Sequence, residues 1–149
     1  MDEMNSTPTI HNEEGTSVPS IRVLLADDNE DFRSLLNSFL GSHDGVRVIG
    51  EAGDGLEAVK QAKTLNPDLI LMDLEMPVKD GFEATREIKR YLPKSRVVIL
   101  SVYSSEVYRR AAREFGADGF IDKNNMKDPL RALLIEEQAR DDGAAVNAA

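Results

Sequence analysis

The sequence predicts an α/β fold: a doubly wound, five-stranded parallel sheet in the order 2-1-3-4-5, covered by five helices. Three observations carry the parallel α/β class, and 2-1-3-4-5 is taken as a common order for such a doubly wound sheet. Short apolar runs alternate five times with segments of helical period, and such alternation calls for parallel strands joined by right-handed crossovers. One run, Leu-Ile-Leu-Met over residues 69–72, has turn residues on both sides, as a strand buried on both faces does. It leads directly into Asp73, and other strands also exit into polar residues, on the edge where such sheets bind ligands.

The elements follow in order. Residues 1–20 mix Asn, Ser, Thr, Pro, Gly and acids without a hydrophobic period, so they read as a disordered acidic leader. Residues 21–26 form the first strand, broken only by Arg22 and ending in Asp27-Asp28-Asn29. Asp31, Phe32, Leu35, Leu36, Phe39 and Leu40 then recur at helical spacing until Gly41 stops the helix. Residues 46–52 alternate apolar and polar, as a strand near a sheet edge does. Asp54-Gly55 turns into a helix with Leu56, Ala58, Val59, Ala62 and Leu65 inward, closed by Asn66-Pro67. After the third strand comes a loop over residues 77–81, then a helix over 82–91 ended by Pro93. A buried strand over 96–100 ends at Ser101. Ser104 or Ser105 caps the next helix, which runs to Phe115 with Gly116 as its stop. Residues 119–122 form a short fifth strand followed by Lys123, and the last helix spans about 126–139, leaving a flexible tail over 140–149. The domain therefore spans residues 21–139.

Composition narrows the function classes. The chain of 149 residues is long enough to bury a real core, and its 41% hydrophobic and 30% charged content is that of an ordinary soluble protein. No apolar run reaches the roughly 18 to 20 residues of a membrane span and no secretory signal pattern opens the chain, so the expected location is cytoplasmic, without membrane contact. The absence of Cys excludes disulfides and thiolate metal sites, and two His, His11 and His43, cannot build a histidine-rich centre. The net charge of −9 is concentrated at the ends, with Asp2, Glu3, Glu13 and Glu14 in the leader and four acids against Arg140 after residue 135. With no basic face or tail, direct nucleic-acid binding is not expected.

The strand exits gather a specific set of groups. Asp27 and Asp28 follow the first strand, Asp73 the third, Ser101 the fourth and Lys123 the fifth. If the sheet has the order 2-1-3-4-5, strands 1 and 3 are neighbours, and the three carboxylates then converge and need a cation to offset their repulsion. Hard oxygen ligands in that number suit Mg²⁺. Lys123 and Ser101 supply an ammonium and a hydroxyl for phosphoryl oxygens, which makes phosphoryl transfer onto Asp73 the natural chemistry. Each residue also has a plain alternative: Asp27-Asp28-Asn29 as a helix cap, Ser101 as a turn residue, Lys123 as a solvated side chain. Their joint occurrence on one edge favours the site.

With Asp27-Asp28, Met-Asp-Leu-Glu-Met-Pro-x-x-x-Gly, Val-Ile-Leu-Ser and Gly-Ala-Asp-Gly-Phe-Ile-Asp-Lys in place, the chain resembles the receiver domain of two-component response regulators over about residues 20–139. The resemblance implies a flavodoxin-like fold and a signalling role rather than an enzymatic one, with at most self-catalysed phosphoryl transfer and autodephosphorylation. It implies that Asp73 accepts a phosphoryl group from a phosphohistidine on a histidine kinase or histidine phosphotransfer protein. By the same carry-over Asp28, Asp73 and the backbone carbonyl of Glu75 hold Mg²⁺, and Asp27 contributes through water. Lys123 pairs with the carboxylate or phosphate, Ser101 swings toward the phosphate, and Phe120 matches an aromatic switch position, with a plain core Phe as its alternative. Glu75 and Tyr103, each two positions beyond Asp73 and Ser101, overhang the site where the family tunes the lifetime of the acyl phosphate.

Asn124 follows Lys123 where many receivers have Pro, so a trans bond is expected there. This form is more similar to receivers of the NarL/FixJ type, which precede a helix-turn-helix effector. Only about ten residues follow the last helix, so the reading is a stand-alone receiver. Its output is then a surface around the fourth helix, fifth strand and fifth helix, in phosphorelay or in contact with a downstream protein or a second copy in a phosphorylation-dependent homodimer. Arg109, Arg110 and Arg113 beside Val107 and Tyr108 offer such a surface, or merely a solvated helix face. Two other readings compete. One is a phosphorylation-independent binding module, against which the complete acidic cluster argues. The other is a haloacid dehalogenase-like phosphatase, whose Asp-x-Asp motif follows the first strand, whereas here Asp73-Leu74-Glu75 follows the third.

Overall fold

Strand and helix alternate five times along residues 20–148, which the computed structural model of the chain describes, with side chains through residue 140. The strands are β1 (Ile21–Ala26), β2 (Val46–Ala52), β3 (Leu69–Asp73), β4 (Arg96–Ser101) and β5 (Gly119–Asp122). The helices are α1 (Glu30–Gly41), α2 (Gly55–Leu65), α3 (Gly81–Tyr91), α4 (Glu106–Glu114) and α5 (Lys127–Ala148), the last preceded by a 3-10 turn, Lys123–Asn125. Apart from Ser20, the expected leader lies outside the described residues.

All five strands are parallel and lie in the order β2-β1-β3-β4-β5, as expected. Period-two alternation sends successive strand residues to opposite faces. Leu24, Ala26, Ile70, Met72, Val97 and Ile99 pack under Ala58, Ala62, Ala84, Ile88 and Ala112 of α2, α3 and α4. Val23, Leu25, Leu69, Leu71, Val98, Leu100 and Ile121 pack under Leu36 and Leu40 of α1 and Leu130, Leu133 and Leu134 of α5. Burial on both faces explains why β1, β3 and β4 read as continuous apolar runs. Each fully buried Leu or Ile contributes about 1.5–3 kcal/mol.

Side-chain oxygens define three helix starts. Asn29, Asp54 and Asp80 accept from the backbone N–H of Phe32, Glu57 and Glu83 at 2.9, 2.8 and 3.0 Å. At α4, Ser105 occupies the cap position without a side-chain cap bond, while Ser104 Oγ donates to Asp122 Oδ2 at 3.1 Å. Asn66 closes α2 with φ 50°, the left-handed geometry that Asn tolerates.

Two expectations need correction, and one is met. Leu56 is 40% exposed rather than inward, because it sits on the flank of the buried arc of its helix, and Leu35 in α1 is likewise 49% exposed. The final helix starts at Lys127 and its backbone stays helical to Ala148 instead of ending near Ala139. No Pro follows residue 129, Ala is frequent there, and the one Gly costs only about 1 kcal/mol in a helix interior. The Lys123–Asn124 bond is trans, in keeping with the absence of Pro.

Candidate functional site

Register brings the strand exits together. Ala26 pairs with Met72, so Asp27 and Asp73 stand side by side where β1 and β3 end. Asp73 pairs with Leu100, and Ser101 with Asp122, which puts Ser101 and Lys123 in the adjoining rows. Asp27, Asp73 and Lys123 continue the alternation of Leu25, Leu71 and Ile121, the face covered by α1 and α5. Ser101 continues Ile99, the opposite face, against which Phe120 also packs.

Oxygens of Asp27, Asp28 and Asp73 lie within 4.8 Å of one another. Lys123 Nζ donates to Asp27 Oδ2 at 2.6 Å and lies 3.3 Å from Asp73 Oδ1. The side chains of Asp27 and Asp73 are 3% and 11% exposed. Burial pushes the Asp73 carboxyl up to about 6, the charge of Asp27 adds to the rise, and Lys123 opposes it. Asp73 is thus mostly ionised at neutral pH, as a nucleophilic carboxylate must be, and its charge is poorly solvated.

These groups line a crevice of about 260 Å³, with Asn29, Glu75, Ser101, Val102 and Tyr103 completing its walls. Beside it runs a groove of about 580 Å³ that shares Asp28, Glu75 and Tyr103 and extends over Met76, Phe82 and Tyr108. Tyr103 is 42% exposed and stacks on Tyr108 with ring centroids 5.4 Å apart. Glu75 is exposed at the rim.

The plain alternatives are partly realised as well. Asn29 caps α1, and its own N–H donates to Asp27 Oδ1 at 2.9 Å. Ser101 is buried, and its Oγ accepts from the Tyr103 N–H at 2.9 Å, so it serves the turn while bordering the crevice. Lys123 is not solvated. Phe120 is half-buried against the α2, α3 and α4 core, with the Arg109 guanidinium 4.8 Å from its ring centroid. On α4, Arg109 Nε donates to the Ser104 carbonyl and Arg113 pairs with Glu106, so part of the expected cationic patch is engaged locally. Val107 next to it is 72% exposed.

The loop after Asp73 folds back tightly. Gly81 N–H donates to the Leu74 carbonyl at 2.8 Å, and a Cβ on Gly81 would stand 2.1 Å from the Asp73 carbonyl oxygen, so no side chain fits. Val78 takes φ 72° between Pro77 and Lys79, whose carbonyl and N–H bond at 2.7 Å, a strained γ-turn beside the site.

Sequence reasoning missed two residues of α1. Arg33 Nη1 donates to the Asp27 carbonyl at 2.6 Å while its Nε pairs with Glu51 at 2.9 Å. Phe32 presents its ring face to Lys123 Nζ, 4.1 Å from the centroid. Helical spacing marked Phe32 only as one of the recurring residues of the first helix; the sole local signal for either residue is its position one turn after Asp27-Asp28.

Comparison with known proteins agrees with this geometry. The family model of the response regulator receiver domain matches residues 23–135. Response regulator protein VraR of Staphylococcus epidermidis is 44% identical over 104 residues, covering 68% of this chain and 49% of that protein. The chain spans about half the length of the curated relatives it matches. The receiver domain of the NarL response regulator from Mycobacterium tuberculosis is 31% identical with a TM-score of 0.74, over 80% of this chain and 98% of that one. A chain of the CheX-CheY-BeF₃-Mg²⁺ complex from Borrelia burgdorferi is 27% identical with a TM-score of 0.73, over 79% and 89%. With its acids converging at the exits of β1 and β3 and a family match across most of its length, the chain belongs to the response regulator receiver domains, modules of phosphorylation-based signalling.

Proposed function

We propose that Asp73 is the phosphoacceptor of this receiver and takes its phosphoryl group from a phosphohistidine on a histidine kinase or histidine phosphotransfer protein. The observation that carries this reading is the cluster itself: three carboxylates within 4.8 Å and one lysine that reaches two of them. In the transfer, an Asp73 oxygen donates its electron pair to phosphorus as the P–N bond breaks, and the imidazole nitrogen leaves with that bond's pair and takes up a proton. Lys123 offsets charge on the phosphoryl oxygens, and Ser101 turns its hydroxyl toward them once the group is in place.

The donor set fits a divalent cation. Three carboxylates facing one ammonium leave about two uncompensated negative charges, and all the ligands are hard oxygens. Asp28, Asp73 and the Glu75 carbonyl would hold Mg²⁺, with Asp27 acting through water. Mg²⁺ there supplies Lewis-acid stabilisation of the charge on the transferring group. The similarity to a chain of the Borrelia burgdorferi complex, which contains both BeF₃ and Mg²⁺, supports this assignment.

Burial of Ser101 at the end of β4 links the site to α4 and Phe120, so phosphorylation alters the surface of α4, β5 and α5, where Val107 and the arginines meet a downstream protein or a second copy. Glu75 and Tyr103 at the rim set how fast water reaches the acyl phosphate. The module acts in the cytoplasm and catalyses at most its own phosphorylation and dephosphorylation. Among the described residues, no helix is long and apolar enough to cross a membrane.

Acetyl phosphate with Mg²⁺, followed by intact mass measurement, tests the reading. One phosphate gained by the wild type and none by Asp73→Asn is expected. No gain under conditions that label a control receiver would instead favour a binding module that works without phosphorylation.

A further inference from the structure

Phe32 lies with its ring centroid 4.1 Å from Lys123 Nζ, within the range where a cation is drawn to an aromatic face. We propose that Phe32 is a positioning residue for phosphoryl transfer, its ring holding the Lys123 ammonium over the crevice and against Asp73. This inference rests on the assignment of Asp73 as phosphoacceptor.

An ammonium has three N–H donors. Asp27 Oδ2 engages Lys123 at 2.6 Å and Asp73 Oδ1 stands at 3.3 Å, while the Phe32 ring faces Nζ as well. The Lys123 side chain is only 13% exposed, so little water competes and the attraction to the ring is stronger than at an open surface. An aromatic face holds a cation without a directional lone pair. The ammonium therefore stays in place yet can rotate a proton toward a phosphoryl oxygen, which a third fixed carboxylate would hinder.

The ring is itself fixed by the site it serves. Asp27 Oδ1 accepts from the Asn29 N–H, and Asn29 Oδ1 accepts from the Phe32 N–H, each at 2.9 Å. Lys123 then returns from the Phe32 ring to the other oxygen of Asp27, closing a circuit of four contacts around one carboxylate. Phe32 also packs against the core under α1, and a leucine there would fill most of that space. Packing alone accounts for an apolar residue; the position of the ring face over the ammonium accounts for an aromatic one.

The test separates the two roles. Phe32 is replaced by its mono-, di- and trifluorinated analogues, which keep the shape of the ring while weakening its face, and by Leu and Tyr. Labelling rate with acetyl phosphate and Mg²⁺ is followed by intact mass, and thermal melting reports the fold. The expected result is a stepwise decline in rate across the fluorinated series, a loss of roughly three- to tenfold in Phe32→Leu, and a rate within about twofold of wild type in Phe32→Tyr. Equal rates across the fluorinated series, with wild type labelled normally and melting unchanged, would overturn the role of the ring. Absence of labelling in the wild type would instead overturn the assignment of Asp73, and this inference with it.

Discussion

Lys123 donates a 2.6 Å hydrogen bond to Asp27 across 96 residues of chain, tying the exit of the last strand to the exit of the first. Asp73 stands within 3.3 Å of the same ammonium. The lysine is therefore shared between two buried acids, and a negatively charged phosphoryl group on Asp73 would compete with Asp27 for it.

The raised proton affinity of Asp73 makes it a source of instability at neutral pH. Its carboxyl is pushed from 3.8 in the unfolded chain to about 6 in the fold, so the folded state binds more protons between those values. The group's favourable contribution is complete below 3.8 and is lost as pH rises through 6. Without divalent cations, Asp73→Asn should stabilise the domain at pH 7 by about 1 kcal/mol, a value reduced for residual solvent contact. Melting curves at pH 7 and pH 4.5 check this, and an advantage that grows on acidification contradicts it.

Divalent binding should follow the same titration. A protonated Asp73 is a poor ligand, so Mg²⁺ affinity should hold above pH 6 and fall towards tenfold for each further pH unit below it. Calorimetric titrations between pH 5 and 8 measure this directly. A flat profile over that range would contradict a ligating Asp73 that titrates near 6.

Lys123→Ala should keep the fold but separate modification from response. The variant leaves Asp27, 3% exposed, without its cation, at a cost of about 1–3 kcal/mol. Phosphate uptake should slow, and the shift of the loop after Ser101 and of α4 on adding beryllofluoride should disappear. Backbone amide spectra with and without the mimic report it; wild-type shifts in the variant would refute the role given to this lysine.

Gly81→Ala drives a methyl group into the Asp73 carbonyl, where only 2.1 Å is available. Because the obstacle is backbone, the loop over residues 74–80 must move, and a loss of about 2–4 kcal/mol is expected together with slower phosphorylation. Gly41→Ala, with nothing within 4 Å, is the control and should be near neutral. Chemical denaturation of both variants compares them.

The sequence by itself determined the alternation of strand and helix and the five residues that stand at the strand exits. Those features are local: an apolar run reads as a buried strand wherever it occurs, and the residue after it must emerge at the same edge as its neighbours. The receiver family was legible for the same reason, since its motifs are the strand exits. Only the tertiary structure decided that Phe32 covers Lys123, that Arg33 holds the Asp27 carbonyl, and that the Ser101 hydroxyl already accepts from Tyr103. Phe32 and Leu35 recur alike at helical spacing in the first helix, yet one meets an ammonium and the other is 49% exposed. The physical reason is that spacing fixes a side chain's direction within its own helix, whereas its partner depends on strand register and on which face of the sheet that helix covers.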